Sequence, residues 1–410
     1  MRLFLLCTLA AVILTTITTV KGQSDWPQWR GVNRDARTAS LKRPWPKELK
    51  QEWQVPVGEG HSTPVVANGR IYLFARQEDQ EVILSLDAKT GQQIWRSAQP
   101  IAYEMHQAAK AHGKGPKSTP VITRNSVCTL GITGVLSCHD LRTGNLKWRH
   151  EFSKQYPKTS PLYGTAMSPI VDGNLLIAHV GGPDKGALIA FDTETGAVKW
   201  SNDFDGPAYA SPILATLAGT KQVVTFTQKS FVGVNPQNGQ LLWSMPAKSA
   251  YDENSVSPVA YKDMLILAKE GAGLFAVRVE RREGKLVPQE VWTNNTLLYM
   301  SSPVIEGNVV YGFSSLNKGQ FFAINADTGK TIWKGPGRTG ENAAIVNLGG
   351  KELLLLTNDA KLSVLPVNTS EFAPSVQYTV ANTETWAHPV VSADRILIKD
   401  LTTLRSYTLR

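Results

Sequence analysis

The stretch LSLDAKTGQQIW, residues 84–95, decides the fold because the chain writes it five times. The other copies are LSCHDLRTGNLKW (136–148), IAFDTETGAVKW (189–200), VGVNPQNGQLLW (232–243) and FAINADTGKTIW (322–333), each with Gly and Trp four residues apart. The shared pattern is Asp/Asn-x-x-Thr/Asn-Gly-x-x-x-Trp. An Asp or Asn side chain bonds the backbone two residues on and starts a tight turn. Gly then supplies the positive φ that such turns require. Apolar residues alternate before the turn and resume after it, the signature of two antiparallel strands. Trp on the second strand offers a broad flat face to a neighbouring unit. By this reading Trp53, Trp95, Trp148, Trp200, Trp243, Trp292 and Trp333 dock one unit on the next.

A second phrase recurs upstream of the first: a small or polar residue, Pro, then an apolar strand. Its prolines are Pro64, Pro120, Pro169, Pro212, Pro258, Pro303 and Pro389, with Ala344 standing in the place of one more. Successive spacings are 56, 49, 43, 46, 45, 41 and 45 residues, which makes eight units of about four strands, the period of propeller blades. Two copies of the turn phrase are worn. Blade five carries VERREGKLVPQEVW (279–292), and blade seven carries NTSEFAPSVQY (368–378) without Gly or Trp. The eighth unit is split: Pro389 to Tyr407 supplies three strands, and LKQEWQVPV (49–57) supplies the fourth from the N-terminal side. The expected fold is all-β, an eight-bladed propeller of four-stranded antiparallel blades. An N-terminal strand joining the C-terminal blade closes the ring, so no free edge separates first from last. An open β-solenoid is the rival, and the split last unit argues against it.

Charged residues are 19% and hydrophobic ones 42% of the 410, a globular balance. No Gly/Ser-rich or Pro-rich joint divides the chain, so residues 23–410 read as a single domain. The first 22 residues, MRLFLLCTLAAVILTTITTVKG, read as a signal peptide: Arg2, an apolar run, then Val20 and Gly22 near a cleavage site. An uncleaved anchor is the alternative. The mature protein is expected to be exported, periplasmic or secreted, without a later transmembrane segment, and monomeric. The formal charge of +9 falls to +7 without Arg2 and Lys21. These cations are scattered rather than clustered, which reads as solvated surface and not as a nucleic-acid site. Cys128 and Cys138 flank a Gly-containing turn and could face each other across a hairpin as a disulfide, or stand as two half-buried thiols.

The alternating STPVV, IYLF and LSLDAKTGQQIW units resemble the repeats of pyrroloquinoline-quinone (PQQ) dehydrogenases and their non-enzymatic relatives, among them the exported propeller of the outer-membrane assembly machinery. DWPQWRGVNRDA (25–36) and TWAHPVV (385–391) resemble a subgroup of secreted PQQ-like repeat proteins. The resemblance implies the fold over nearly the whole mature chain. In the alcohol-oxidising members it also implies a quinone held against a disulfide between adjacent cysteines, with Glu, Asn and Asp on a calcium ion beside a catalytic Asp. This sequence has no adjacent cysteine pair and no mappable calcium trio, so no cofactor and no metal are read from it. Asp87, Asp140, Asp192, Asn235 and Asn325 recur in the turn phrase and read as turn-formers.

Loops joining successive blades converge on one face of a propeller. Here they carry His61, Tyr103, His106, His112, Lys114, Tyr163, Tyr209, Tyr251, Glu253, Asn254, Tyr299, Asn342, Trp386 and His388. The longest is RSAQPIAYEMHQAAKAHGKGPK (96–117), whose HGKGPK piece reads as an anion cradle beside Lys114 and Lys117. It lacks the pattern of a nucleotide-binding loop, and no hydrolase or metalloprotease signature is present. The reading is a non-catalytic binding or scaffold protein of the cell envelope, presenting this face to a protein, envelope component or glycan. An atypical PQQ-dependent oxidoreductase is the alternative.

Overall fold

The computed structural model describes residues 25–38, 44–247, 249, 253–367 and 370–409. The expected signal peptide lies outside the described residues. The strands form eight sheets, seven of four strands and one of five. In the first blade, Val65–Ala67 is innermost and Arg70–Gln77, Gln80–Asp87 and Gln93–Pro100 follow outward as an antiparallel meander. The second strand of this blade is buried on both faces except at its ends, because each blade is covered by a neighbour on either side. The split blade is assembled as Val390–Ser392, Arg395–Lys399, Thr403–Thr408 and then Lys50–Pro56, with Trp53 opposite Ser406. The largest apolar cluster sits at this seam, joining Ile71, Leu73, Leu354, Leu397 and Leu404.

The repeated phrase earns its repetition between blades. The Trp of one blade lies flat on the turn Gly of the next: Trp53 on Gly91, Trp95 on Gly144, Trp148 on Gly196, Trp200 on Gly239 and Trp292 on Gly329. A Cβ added at any of these glycines would come within 2.5–2.8 Å of the ring, and each has a positive φ. The indole N–H of Trp148, Trp200 and Trp292 donates to a backbone carbonyl of the facing turn (Thr193, Pro236 and Ala326) at 2.9–3.2 Å. Within each turn the Asp or Asn holds the loop shut. Asp87 Oδ1 accepts from the backbone N–H groups of Lys89 and Thr90 and from the Thr90 hydroxyl, and Asp140, Asp192 and Asn325 repeat the pattern.

Where the next turn is worn, the contact changes. Trp243 faces blade five, whose outer hairpin is two ten-residue strands (Gly273–Arg282 and Lys285–Asn294), and its N–H turns to Gln222 of its own blade at 2.6 Å. Trp333 faces blade seven and meets Phe372 at 5.8 Å between centroids. Tyr378 faces the split blade and donates its hydroxyl to the Pro46 carbonyl at 2.5 Å.

Blade seven departs from the expected four strands. Arg37–Thr38 adds a parallel strand inside Ala343–Leu348, with the Asn347 N–H donating to the Ala36 carbonyl at 2.8 Å. Ala344 replaces the usual Pro, so this inner strand starts earlier, at Ala343, with its N–H groups intact. Cys128 and Cys138 stand directly opposite in neighbouring strands of blade two and are joined as a disulfide, both fully buried.

Gly239→Ala should cost roughly 2–4 kcal/mol, because it combines a left-handed backbone with a collision against Trp200. Gly69→Ala, left-handed but with open space around it, should cost only about 1 kcal/mol. Urea unfolding of the two variants checks the difference; equal losses would remove the indole–glycine contact as a determinant.

Candidate ligand-binding cup

The inner strands begin with the second phrase, and its polar residue has a defined task. The residue before each Pro sends its backbone N–H to the hydroxyl of its counterpart in the next blade. Thr63 donates to Thr119, Thr119 to Ser168, Ser168 to Ser211, Ser211 to Ser257, Ser257 to Ser302, and across the seam His388 to Thr63, at 2.9–3.2 Å. At blade seven Ala343 has no hydroxyl. There its N–H goes back to Ser301 Oγ at 3.0 Å, and that hydroxyl donates to Asn342 at 2.6 Å. A nearly continuous hydrogen-bonded circle therefore surrounds the axis.

The N-terminal segment fills that circle from one side. Trp26 bridges to Val66 of blade one and Pro27 accepts from Ile122 of blade two. Arg34 donates to the Pro169 and Ser168 carbonyls at 2.9 and 3.0 Å, and Arg30 to the Pro303 carbonyl at 2.5 Å. Both guanidinium groups are buried, at 0% and 3% exposure, without a salt bridge among the described residues. Burial lowers Arg30 to about 10 and Arg34 to about 9, and each also feels the other arginine or Asp35. Arg30, Arg34 and Ala36 all adopt left-handed backbone, costing about 1 kcal/mol each. The segment is held in that shape by its bonds to the ring.

Above this plug lies a cup enclosing about 160 Å³, with Trp29 in its floor. Trp29 contacts His388 edge-on at 4.4 Å, and its N–H lies 3.4 Å from Ser257 Oγ. Ser168, Ser211 and Ser257 line the cup. Their oxygens accept the circular bonds and, among the described residues, their O–H groups donate to no protein acceptor. The wall is an arc of rings: His61 to Trp386 at 5.9 Å, Trp386 to His112 at 6.1 Å, His112 to Tyr163 at 5.8 Å and Tyr163 to Tyr209 at 6.0 Å. Tyr299, Glu253 and Asn342 continue it, and Lys117 projects from the wall with its amine on the Tyr163 carbonyl at 2.9 Å. Desolvation pushes the Tyr299 phenol up to about 12 and the Tyr209 phenol up as well, so both stay protonated donors. Burial lowers His61 and His388 to about 3, leaving neutral rings. The His388 Nδ1 has no partner among the described residues.

Nine loop residues named from the sequence meet in this cup: His61, His112, Tyr163, Tyr209, Glu253, Tyr299, Asn342, Trp386 and His388. Tyr251 lies outside the described residues, and Asn254 is buried with its amide donating to the Ala247 carbonyl at 2.8 Å. Three others do not line the cup. His106 caps the short helix Gln107–His112, accepting from the Ala108 N–H at 3.2 Å. Lys114 is exposed beyond that helix, and Tyr103 stands behind the wall, its hydroxyl near Gly164. The sequence reading missed Trp29 and the three serines. Their signals were present, as the unexplained DWPQWRG segment and the polar residue before each Pro, but neither has a function until the ring closes.

A ring of eight four-stranded blades around an axial cup defines a PQQ-like repeat β-propeller. The profile of the family described as outer membrane protein assembly factor BamB matches residues 47–108 and 78–335, and the chain belongs to that family. It is 23% identical over 320 residues to outer membrane protein assembly factor BamB of Burkholderia pseudomallei, covering 75% of this chain and 74% of that protein. In structure it is similar to BamB from Moraxella catarrhalis, with TM-score 0.62 and 14% identity over 88% of this chain and 97% of that one. It is also similar to quinohemoprotein alcohol dehydrogenase ADHIIG from Pseudomonas putida HK5, with TM-score 0.69 and 14% identity over 94% and 80%. At such identities the structural likeness is one of fold.

The described residues of the cup do not supply the ligand set that the sequence resemblance implies for a calcium–quinone pair. Among the described residues no three His, Cys, Asp or Glu side chains converge to hold a metal. Among the described residues Glu253 is the only carboxylate on the lining, and the Cys128–Cys138 disulfide is buried inside blade two. No redox step is derived from the site.

The buried neutral histidines set a pH dependence. His388 and His61, at about 3, and His179, at about 4, bind protons less readily folded than unfolded, where the value is 6.5. Their stabilisation is complete above 6.5 and is lost as pH falls toward 4. Glu81, raised by burial to about 7, opposes them over part of that range. Stability should therefore rise from pH 4.5 to 6.5, and His388→Asn should flatten the slope by about 1.4 kcal/mol per pH unit, one proton's worth. Denaturant melts across that range measure it; an unchanged slope would mean that His388 is charged in the folded protein.

Proposed function

We propose that the protein is an exported, non-catalytic binding propeller of the cell envelope, with its axial cup as the binding site. The observation that carries this is the blind, aromatic-walled cup whose floor offers hydroxyl donors and whose base is a pair of buried arginines. Its volume suits a small molecule or a single group projecting from a larger protein or glycan partner. Free O–H donors, Lys117 and the cations beneath favour a ligand rich in acceptors, and the rings favour one with a flat or apolar face. Family membership supports an envelope location, and the names of the relatives support a protein partner for the rim.

Structural and contact roles should separate by mutation. Trp200→Ala should cost about 3–5 kcal/mol, as for a large buried ring. Tyr163→Ala, at the mouth, should leave stability within about 1 kcal/mol and weaken ligand binding. Equal losses of stability at both positions would defeat the division.

The second reading, a quinoprotein oxidoreductase, is favoured by the fold shared with the quinohemoprotein dehydrogenase. Thermal-shift titration of the mature protein with PQQ, with and without calcium, tests it. The account expects no calcium-dependent shift; a saturable one would bring the oxidoreductase reading forward.

A further inference from the structure

We infer that Lys117 is a covalent docking point for carbonyl compounds: its ε-amine, mounted in the cup wall, condenses reversibly with an aldehyde to form an imine. The inference rests on the cup being a ligand site, as proposed above. Among the described residues two lysines are largely removed from water, and they differ in what their amines have left to do. Lys399 is fully buried and donates to three carbonyls, those of Gly60, Asp400 and Leu401, at 2.5, 3.0 and 3.2 Å. Its three N–H bonds are spent, and it does not line the cup. Lys117 lines the cup and has one acceptor, the Tyr163 carbonyl, with no carboxylate within salt-bridge distance among the described residues.

The root of Lys117 is rigid. The preceding Pro116 carbonyl accepts from the N–H groups of both His61 and Ser62, at 2.9 and 3.1 Å. Gly115 lies so close to Gly60 that a Cβ there would stand 2.5 Å from it. A nucleophile is thus held at a fixed place on an aromatic wall. The titratable groups beside it are His61 and His112, both lowered by burial and so neutral, and neither stabilises an ammonium. Desolvation accordingly lowers Lys117 to about 8. At neutral pH this leaves roughly two orders of magnitude more free amine than on an ordinary lysine.

The chemistry needs no co-reactant. The amine lone pair attacks the carbonyl carbon to give a carbinolamine. A nitrogen proton and the hydroxyl then depart as water, and the C=N bond forms. Hydrolysis reverses each step. Among aldehydes the wall formed by Tyr163 and Trp386 favours an aromatic one.

The test uses the mature protein, benzaldehyde as probe and cyanoborohydride to trap any imine at neutral pH, followed by peptide mass spectrometry. Trapped adduct at Lys117 should exceed that at Lys110 and Lys114, exposed on the same loop, by at least about tenfold. Lys399 should be unlabelled, and Lys117→Arg should abolish the dominant adduct. Labelling of Lys117 no faster than of Lys110 and Lys114 overturns the inference. Benzyl alcohol, which cannot form an imine, separates the two readings. A thermal shift by benzyl alcohol without an adduct at Lys117 removes the lysine chemistry and leaves the cup as a binding site. Neither shift nor adduct removes both.

Discussion

The contact of an indole face with a bare glycine is the constraint on which the rest of this molecule depends. Each blade is a twisted sheet with two apolar faces, and it is stable only when both are covered. The Trp-on-Gly contact sets the distance and angle at which one blade covers the next. It works because Gly permits both the left-handed turn and the close approach of the ring. Where the glycine is missing, at blades five and seven and at the split blade, the ring finds another partner, and the circle continues. With the blades so spaced, six of the eight inner strands bring a hydroxyl to the axis, and the circle follows from geometry that the outer contact has already fixed.

That circle explains an arrangement that otherwise looks costly. Prolines at the starts of inner strands have no N–H to offer, but their carbonyls remain. Arg30 and Arg34 use two of these as acceptors, which lets a strained, cationic segment fill the channel. The result is a cup instead of a pore. Its floor is Trp29, its donors are serines already committed as acceptors, and its charge comes from below. The binding character of the cup is thus a by-product of how the ring is closed and plugged.

Much of this was legible in the sequence because it is local or periodic. The turn phrase gave the blades, and the split eighth unit gave the partner for Lys50–Pro56. Seven of the loop residues now in the cup were recognisable as aromatic or His residues just ahead of inner strands. The plug was not legible. DWPQWRGVNRDA occurs once, has no period, and draws its neighbours from several blades, from Val66 of the first to Pro303 of the sixth. Its arginines, like Lys399, looked like scattered surface charge, since a cation bonded to backbone carbonyls leaves no acidic partner to find in sequence. The fifth strand in blade seven was hidden for a related reason: Ala344 could be seen as a missing Pro, but not as room for a parallel strand from the N-terminal segment.

The measurement that bears most directly on this account is a crystal structure of the protein purified from its native source without ligand exchange. The account predicts residues 25–38 inside the channel, Arg30 and Arg34 on the Pro303 and Pro169 carbonyls, and a bound molecule above Trp29 within reach of Ser168, Ser211 and Ser257. A channel open from end to end, with the N-terminal segment outside it and bound material only on the outer strands, would contradict it.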